Sequence, residues 1–129
     1  MNAVDTNVVV RFLVRDDERQ AQRARRLLVG GSIFVPKTVL LETEWVLRYT
    51  YELSRAAVAD GLDRICRMDG VTVEDGTSVR QALGWHGQGM DFADALHIAS
   101  SGASSAFQSF DRDLQKRAKR LGALAVKSP

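Results

Sequence analysis

Met1-Asn2-Ala3-Val4-Asp5-Thr6-Asn7-Val8-Val9-Val10 opens the chain, and its reading decides the fold. A short apolar run stops on an acid, a hydroxyl and an amide, and an apolar helical pattern follows. Such a segment is a buried strand, Ala3-Val4, that delivers a carboxylate to the start of a helix. In open α/β folds ligands bind there, beyond the carboxyl ends of the strands. One acid at such a place carries little weight. Others stand at similar junctions downstream: Glu42, Asp91, Asp94, Asp111 and Asp113.

Working outward, apolar spacing and turn residues predict a helix over 7–14, with Thr6 or Asn7 as its N-cap. Asp16, Asp17 and Glu18 open the next helix, favourably placed at the positive end of its dipole, and Gly30-Gly31 stops it. Ile33-Phe34-Val35 reads as a strand ended by Pro36, and Thr38 to about Tyr49 as a strongly apolar helix. Ser54 caps a helix that ends near Met68-Asp69-Gly70, followed by strand Val71-Thr72-Val73. Helices are predicted over 77–86 and from Asp91 to about Ser100. A strand at Ala106-Phe107-Gln108 leads into a basic helix over 111–120, and Leu124-Ala125-Val126 is a last strand. Short apolar strands separated by helices predict a parallel sheet covered on both faces.

With 129 residues and no internal linker, a single domain over 1–129 is expected. No apolar run nears the ~20 residues that span a bilayer, and Asp5 interrupts any leader-like segment, so a cytoplasmic protein without membrane contact is expected. Cys66, the only cysteine, excludes an internal disulfide and a cysteine-rich zinc site. It shares helical spacing with Val58, Leu62 and Ile65, which makes it a small core residue. The net charge of +2 does not signal nucleic-acid binding by itself. Its distribution says more: Arg11, Arg15, Arg19 and Arg23 recur every four residues, and Arg112, Lys116, Arg117, Lys119 and Arg120 cluster late. These are either solvated helix faces or stripes that hold phosphates beside an acidic site.

In a parallel sheet the acidic junctions converge on one edge. Carboxylates gathered there cannot all stay ionised without a counter-charge. Oxygen-only ligation favours a hard cation, Mg²⁺ or else Mn²⁺, and no histidine or cysteine cluster suggests zinc. Taken singly, Asp91, Asp113, Glu44, Asp16 and Asp17 read as helix caps or surface charges. Asp94, set among Phe92, Ala93, Ala95 and Leu96, and Glu42, set after Val39-Leu40-Leu41, call for a partner. His97, one turn after Asp94, reads as a packed histidine bonded to a carboxylate rather than a phosphate contact. Trp45, Tyr49 and Tyr51, beside leucines, read as residues of a core or dimer interface rather than base-stacking groups.

Four segments together carry a resemblance: Asp5-Thr6-Asn7; Leu41-Glu42 with Trp45-Val46-Leu47; Asp91-Phe92-Ala93-Asp94-Ala95-Leu96; and Ser109-Phe110-Asp111-Arg112-Asp113-Leu114. In order and spacing the chain resembles PIN domains, and more closely the VapC-type toxins of bacterial toxin–antitoxin pairs. The resemblance implies a three-layer α/β/α fold with a parallel sheet of four or five strands. It implies an Mg²⁺-dependent endoribonuclease that hydrolyses RNA with a metal-activated water, neutralised by a VapB-type antitoxin and forming a homodimer. Carried over by position, the metal-site acids are Asp5, Glu42, Asp94 and Asp111, with Asp113 as alternate or helper for the last. Thr6 and Ser109 supply hydroxyls that orient acids, Asn7 stands beside them, and Asp91 faces the same pocket or caps its helix. Ser109 stands where the pattern usually has threonine. Arg11, Arg15, Arg112 and Lys116 are the candidates for contacts to the RNA backbone. Two other readings compete: a receiver-like domain with an acidic Mg²⁺ pocket, and a PIN-like module that binds RNA or protein without cutting. The first needs adjacent acids after an early strand, where this chain has one acid followed by Thr6-Asn7; the full set of acids argues against the second.

Overall fold

Asn2–Ala3 (β1), Ile33–Val35 (β2) and Val71–Val73 (β3) form a parallel sheet in that order, so β2 is central. Asn2 pairs with Ile33 and Ala3 with Phe34; Ile33, Phe34 and Val35 pair with Val71, Thr72 and Val73. This sheet belongs to the first of two units, Met1–Gly76 and Thr77–Pro129, of a computed structural model that describes all residues from Met1 to Pro129. Ile33 and Val35 are buried, as the middle strand of a covered sheet should be. The first strand sits one residue earlier than its expected Ala3-Val4, and both of its residues are exposed because it is an edge. Val4 is buried and still donates its N–H to the Phe34 carbonyl at 3.3 Å.

Helices α1 (Thr6–Val14), α2 (Glu18–Gly30), α3 (Lys37–Trp45) and α4 (Arg55–Arg67) complete this unit. Asp17 caps α2 and Ser54 caps α4, each side chain accepting a backbone N–H three positions on. The first helix is capped by Asp5, not by the expected Thr6 or Asn7; Asp5 keeps extended backbone angles and accepts from the Val8 N–H at 3.2 Å. After Trp45 the expected helix to Tyr49 widens into a π-helical turn, Val46–Thr50, where Tyr51 N–H reaches back five residues to the Val46 carbonyl. The core gathers Val9, Val10, Phe12, Leu28, Leu40, Leu47, Leu62 and Ile65. Cys66 lies beside it, half-buried rather than interior. Trp45 and Tyr49 are not core residues: they are 54% and 57% exposed, with ring centroids 5.1 Å apart, and Arg48 lies 4.3 Å over Tyr49.

Gly70 turns the chain from α4 into β3 with φ +81°, and its carbonyl accepts from Ile33 N–H at 2.8 Å. A Cβ there would run into the Gly31 carbonyl oxygen, a backbone atom that cannot swing away. Gly70→Ala combines this clash with a left-handed backbone and should cost at least about 2 kcal/mol. Urea unfolding of the variant tests it; a loss no larger than the ordinary surface range would mean that the turn relaxes.

The second unit contains α5 (Gly76–Gly87, starting at the boundary residue), α6 (Phe92–Ala99), β4 (Phe107–Gln108), α7 (Arg112–Leu121) and β5 (Val126–Lys127). Phe107 pairs with Val126 and Gln108 with Lys127, again in parallel. The last strand falls two residues after its expected start, because Gly122 at φ +71° ends α7 and the Ala123 N–H still returns to Ala118. Val79, Ala82, Met90, Phe92, Ala95, Ile98 and Ala118 are buried here. Every strand pair in the chain is parallel, which bears out the α/β class; hydrogen bonds join the five strands as three and two. No helix is long and apolar enough to cross a membrane.

Candidate active site

In the first unit, Asp5 leaves the carboxyl end of β1 and Glu42 stands one turn into the helix after β2. These are neighbouring parallel strands, so the two junctions open on the same edge of the sheet. Thr6, nearly buried, donates its hydroxyl to Oε1 of Glu42 in a short hydrogen bond. This fixes the carboxylate of an otherwise exposed side chain. Asp5 spends one oxygen on its helix cap. Asn7, Val8, Arg11, Gln20, Arg23 and Leu27 line a cavity of about 400 Å³ between α1 and α2.

Arg11 sits in a tight polar knot. It donates to Asp16 at 2.8 Å, to Gln20 at 2.8 Å and to the Tyr51 hydroxyl at 3.0 Å, and Tyr51 donates in turn to Asp16 at 2.9 Å. The Tyr51 bond, joined by Arg11, holds the Asp16 carboxyl below its usual range, and Asp16 raises Arg11 in return. Arg15 is paired with Glu18 at 2.7 Å, which lowers Glu18. Both candidate phosphate contacts of this unit therefore already have an acidic partner on the protein. Nothing in the spacing pointed to Tyr51 as the third member of the knot.

Glu44 reverses its expected place at the surface. It is 2% exposed and takes two hydrogen bonds from Arg48, at 2.6 and 3.1 Å. Helix α3 turns Leu40, Thr43 and Glu44 inward, the π-helical turn adds Leu47, and Glu42 and Trp45 are left in solvent.

The second unit gathers the other acids. Asp91 caps α6 by accepting from the Asp94 N–H at 3.1 Å. Asp94, half-buried in the first turn, has its carboxyl pushed up, first by burial and then by the charges of Asp91 and Asp111; His97 opposes the shift. His97 is exposed rather than packed, and the interior histidine is His86, which meets the Phe92 ring edge-on at 5.7 Å. Asp111 caps α7 through the Leu114 N–H at 3.0 Å, and its own N–H donates to the Ser109 hydroxyl at 3.0 Å. Of the two late acids, Asp111 is the one whose charge acts on Asp94; Asp113 lies exposed in the first turn of α7. Arg112 and Lys116 are also exposed.

The donor chemistry fits a hard cation. The acids present only oxygen, and the field at Asp94 is one of excess negative charge. No three His, Cys, Asp or Glu side chains are gathered closely enough to hold an ion by themselves.

No curated protein matches the chain. Residues 3–120 match the PIN domain, a nuclease-type domain whose members generally depend on a divalent metal. With acids at the strand ends and this match running through nearly all of its length, the chain belongs to the PIN domain family.

Proposed function

We propose that the protein is an Mg²⁺-dependent endoribonuclease, the toxin of a VapBC-type pair, and that Mn²⁺ substitutes for Mg²⁺. The observation that carries the reading is Asp94: a half-buried carboxyl made costly to ionise by Asp91 and Asp111, in a PIN domain. Such an arrangement calls for a cation. Asp94 and Asp111 are the proposed holders in the second unit; the resemblance gives Asp5 and Glu42 the same task, with Asp113 as helper. A bound divalent ion supplies a nucleophilic water at neutral pH and polarises the phosphate to be cut. The chain's own residues set the stage for it. Thr6 aims Glu42, and Ser109 braces the backbone of Asp111. Asp5 and Asp111 each keep one oxygen on a helix N-terminus, which orients both carboxylates at their junctions. A VapB-type antitoxin and a second copy of the chain are the partners the resemblance supplies.

Because Asp5 is also a cap, Asp5→Asn is a sharper test than Asp5→Ala, which would add about 1 kcal/mol of lost capping. Total RNA should yield discrete fragments with the parent protein and Mg²⁺ or Mn²⁺. Nothing should be cut in chelator or by the folded Asp5→Asn variant. Cleavage that survives chelation or the substitution would sink the metal mechanism. A folded parent that cuts nothing under either metal would leave the non-cutting module.

A further inference from the structure

Phe110 is 81% exposed, between Ser109 and Asp111. A phenyl ring in water contributes little to folding, yet the backbone on either side of it is held hard. Ser109 N–H donates to the Lys127 carbonyl at 2.9 Å, the Ser109 carbonyl accepts from Gln115 at 3.0 Å, and Asp111 is fixed at both its N–H and its carboxylate. The ring is thus an exposed aromatic on a rigid mount. The other exposed aromatics, Trp45 and Tyr49, are engaged with each other.

Gln115 also lines a cleft of about 540 Å³ whose wall includes Lys116, Lys119, Val126 and Lys127, with no acid among its lining residues. Its amide joins the Ser109 carbonyl to the Ser128 hydroxyl at 2.9 Å, so the loop carrying Phe110 and the cleft wall are tied together. An exposed ring on a loop tied to the wall of a cationic cleft is a combination that takes single-stranded nucleic acid: bases stack, phosphates follow the charge.

We propose that Phe110 is a stacking platform for one base of a single-stranded RNA, and that Lys116, Lys119 and Lys127 hold the phosphates of the same strand. The inference rests on the nuclease reading above. Phe110 immediately precedes Asp111, so the stacked base would lie next to the phosphate presented to the acids. Phe110 would then select the position of the cut rather than take part in it.

The test uses the full chain in EDTA and a short mixed-sequence RNA carrying 2-aminopurine, as single strand and as duplex. The parent should prefer the single strand and change the 2-aminopurine emission. Phe110→Ala should weaken binding about tenfold and abolish that change, while Phe110→Trp keeps both. Lys119→Gln with Lys127→Gln should lower the slope of log affinity against log salt by about 1.4, at about 0.7 per lost contact. Cleavage sites mapped with Mg²⁺ should blur in Phe110→Ala. If Phe110→Ala binds and cuts like a parent that itself binds and cuts RNA, the platform is wrong and the nuclease stands. If the folded parent neither binds nor cuts RNA, both fall.

Discussion

Asp94→Asn should unfold at a higher temperature than the parent in metal-free buffer at pH 7, and cut no RNA. Burial, Asp91 and Asp111 raise the folded-state carboxyl of Asp94 above its ordinary value. A group whose folded pKa is raised contributes stability that is fully present below the unfolded pKa and is lost as pH rises through the folded one. Above the folded pKa that contribution is gone, and the fold carries a charge it disfavours. Asparagine keeps the shape and removes the charge. The gain should therefore vanish on acidification through the carboxylate range, where the parent is itself protonated. Adding Mg²⁺ should raise the melting temperature of the parent more than that of the variant, because ligand binding to the folded state stabilises it. Activity should drop by on the order of a thousandfold or more. Thermal melts with and without Mg²⁺ at two pH values, beside an RNA cleavage assay, measure all of this. A variant that melts lower at pH 7 would show that Asp94 is held by a partner and carries no uncompensated charge.

Arg48→Met should have the largest effect on stability of any single surface-reaching side chain. Arg48 is 38% exposed, but the Glu44 carboxylate that it grips is only 3% exposed. Removing the guanidinium strands a charge out of water, which costs about 3 kcal/mol, the low end of the range because water can enter where Arg48 was. Glu44→Leu with Arg48→Met should recover most of the loss, since a buried pair replaced as a whole by apolar groups is often neutral. Denaturant unfolding of the two single variants and the double variant closes the cycle. A loss below about 1 kcal/mol for Arg48→Met would mean that Glu44 finds solvent or another donor. RNA cleavage by the folded fraction should be little changed, because the pair lies outside the proposed acids.

Much of this architecture is legible in the residues because strand, acid and helix start are written side by side. Ala3-Val4-Asp5 and Gln108-Ser109-Phe110-Asp111 each contain the end of a strand and a helix cap, and the helices between β1, β2 and β3 are the crossovers that parallel strands need. What failed was phase. Val39-Leu40-Leu41 are three apolar residues in a row, so they do not say which side of α3 faces inward. Of the two glutamates that follow, 200° apart on an ideal helix at ~100° per residue, Glu42 has the partner it calls for in Thr6 while staying exposed, whereas Glu44, which reads as a surface charge, is interior. The same ambiguity applies to His97, which reads as packed and is exposed, and to Trp45 and Tyr49, which read as core or dimer-interface residues and are exposed. Caps missed by one residue for a different reason, since Asp5, Thr6 and Asn7 are all good N-caps and only the backbone chooses. The gathering of charge around Asp94 depends on Asp111 acting on it through space from 17 residues further along the chain, which no local pattern carries.

The widened turn at Val46–Thr50 bears on how this chain should be compared with others. A π-helical turn holds one residue more than the α-helical path it replaces. A relative whose helix runs straight through this point would carry one residue fewer. Superposing the two sequences then requires a single-position gap between 46 and 50. Without the gap, every position after it would be matched to the wrong neighbour, including Tyr51, which closes the knot with Arg11 and Asp16.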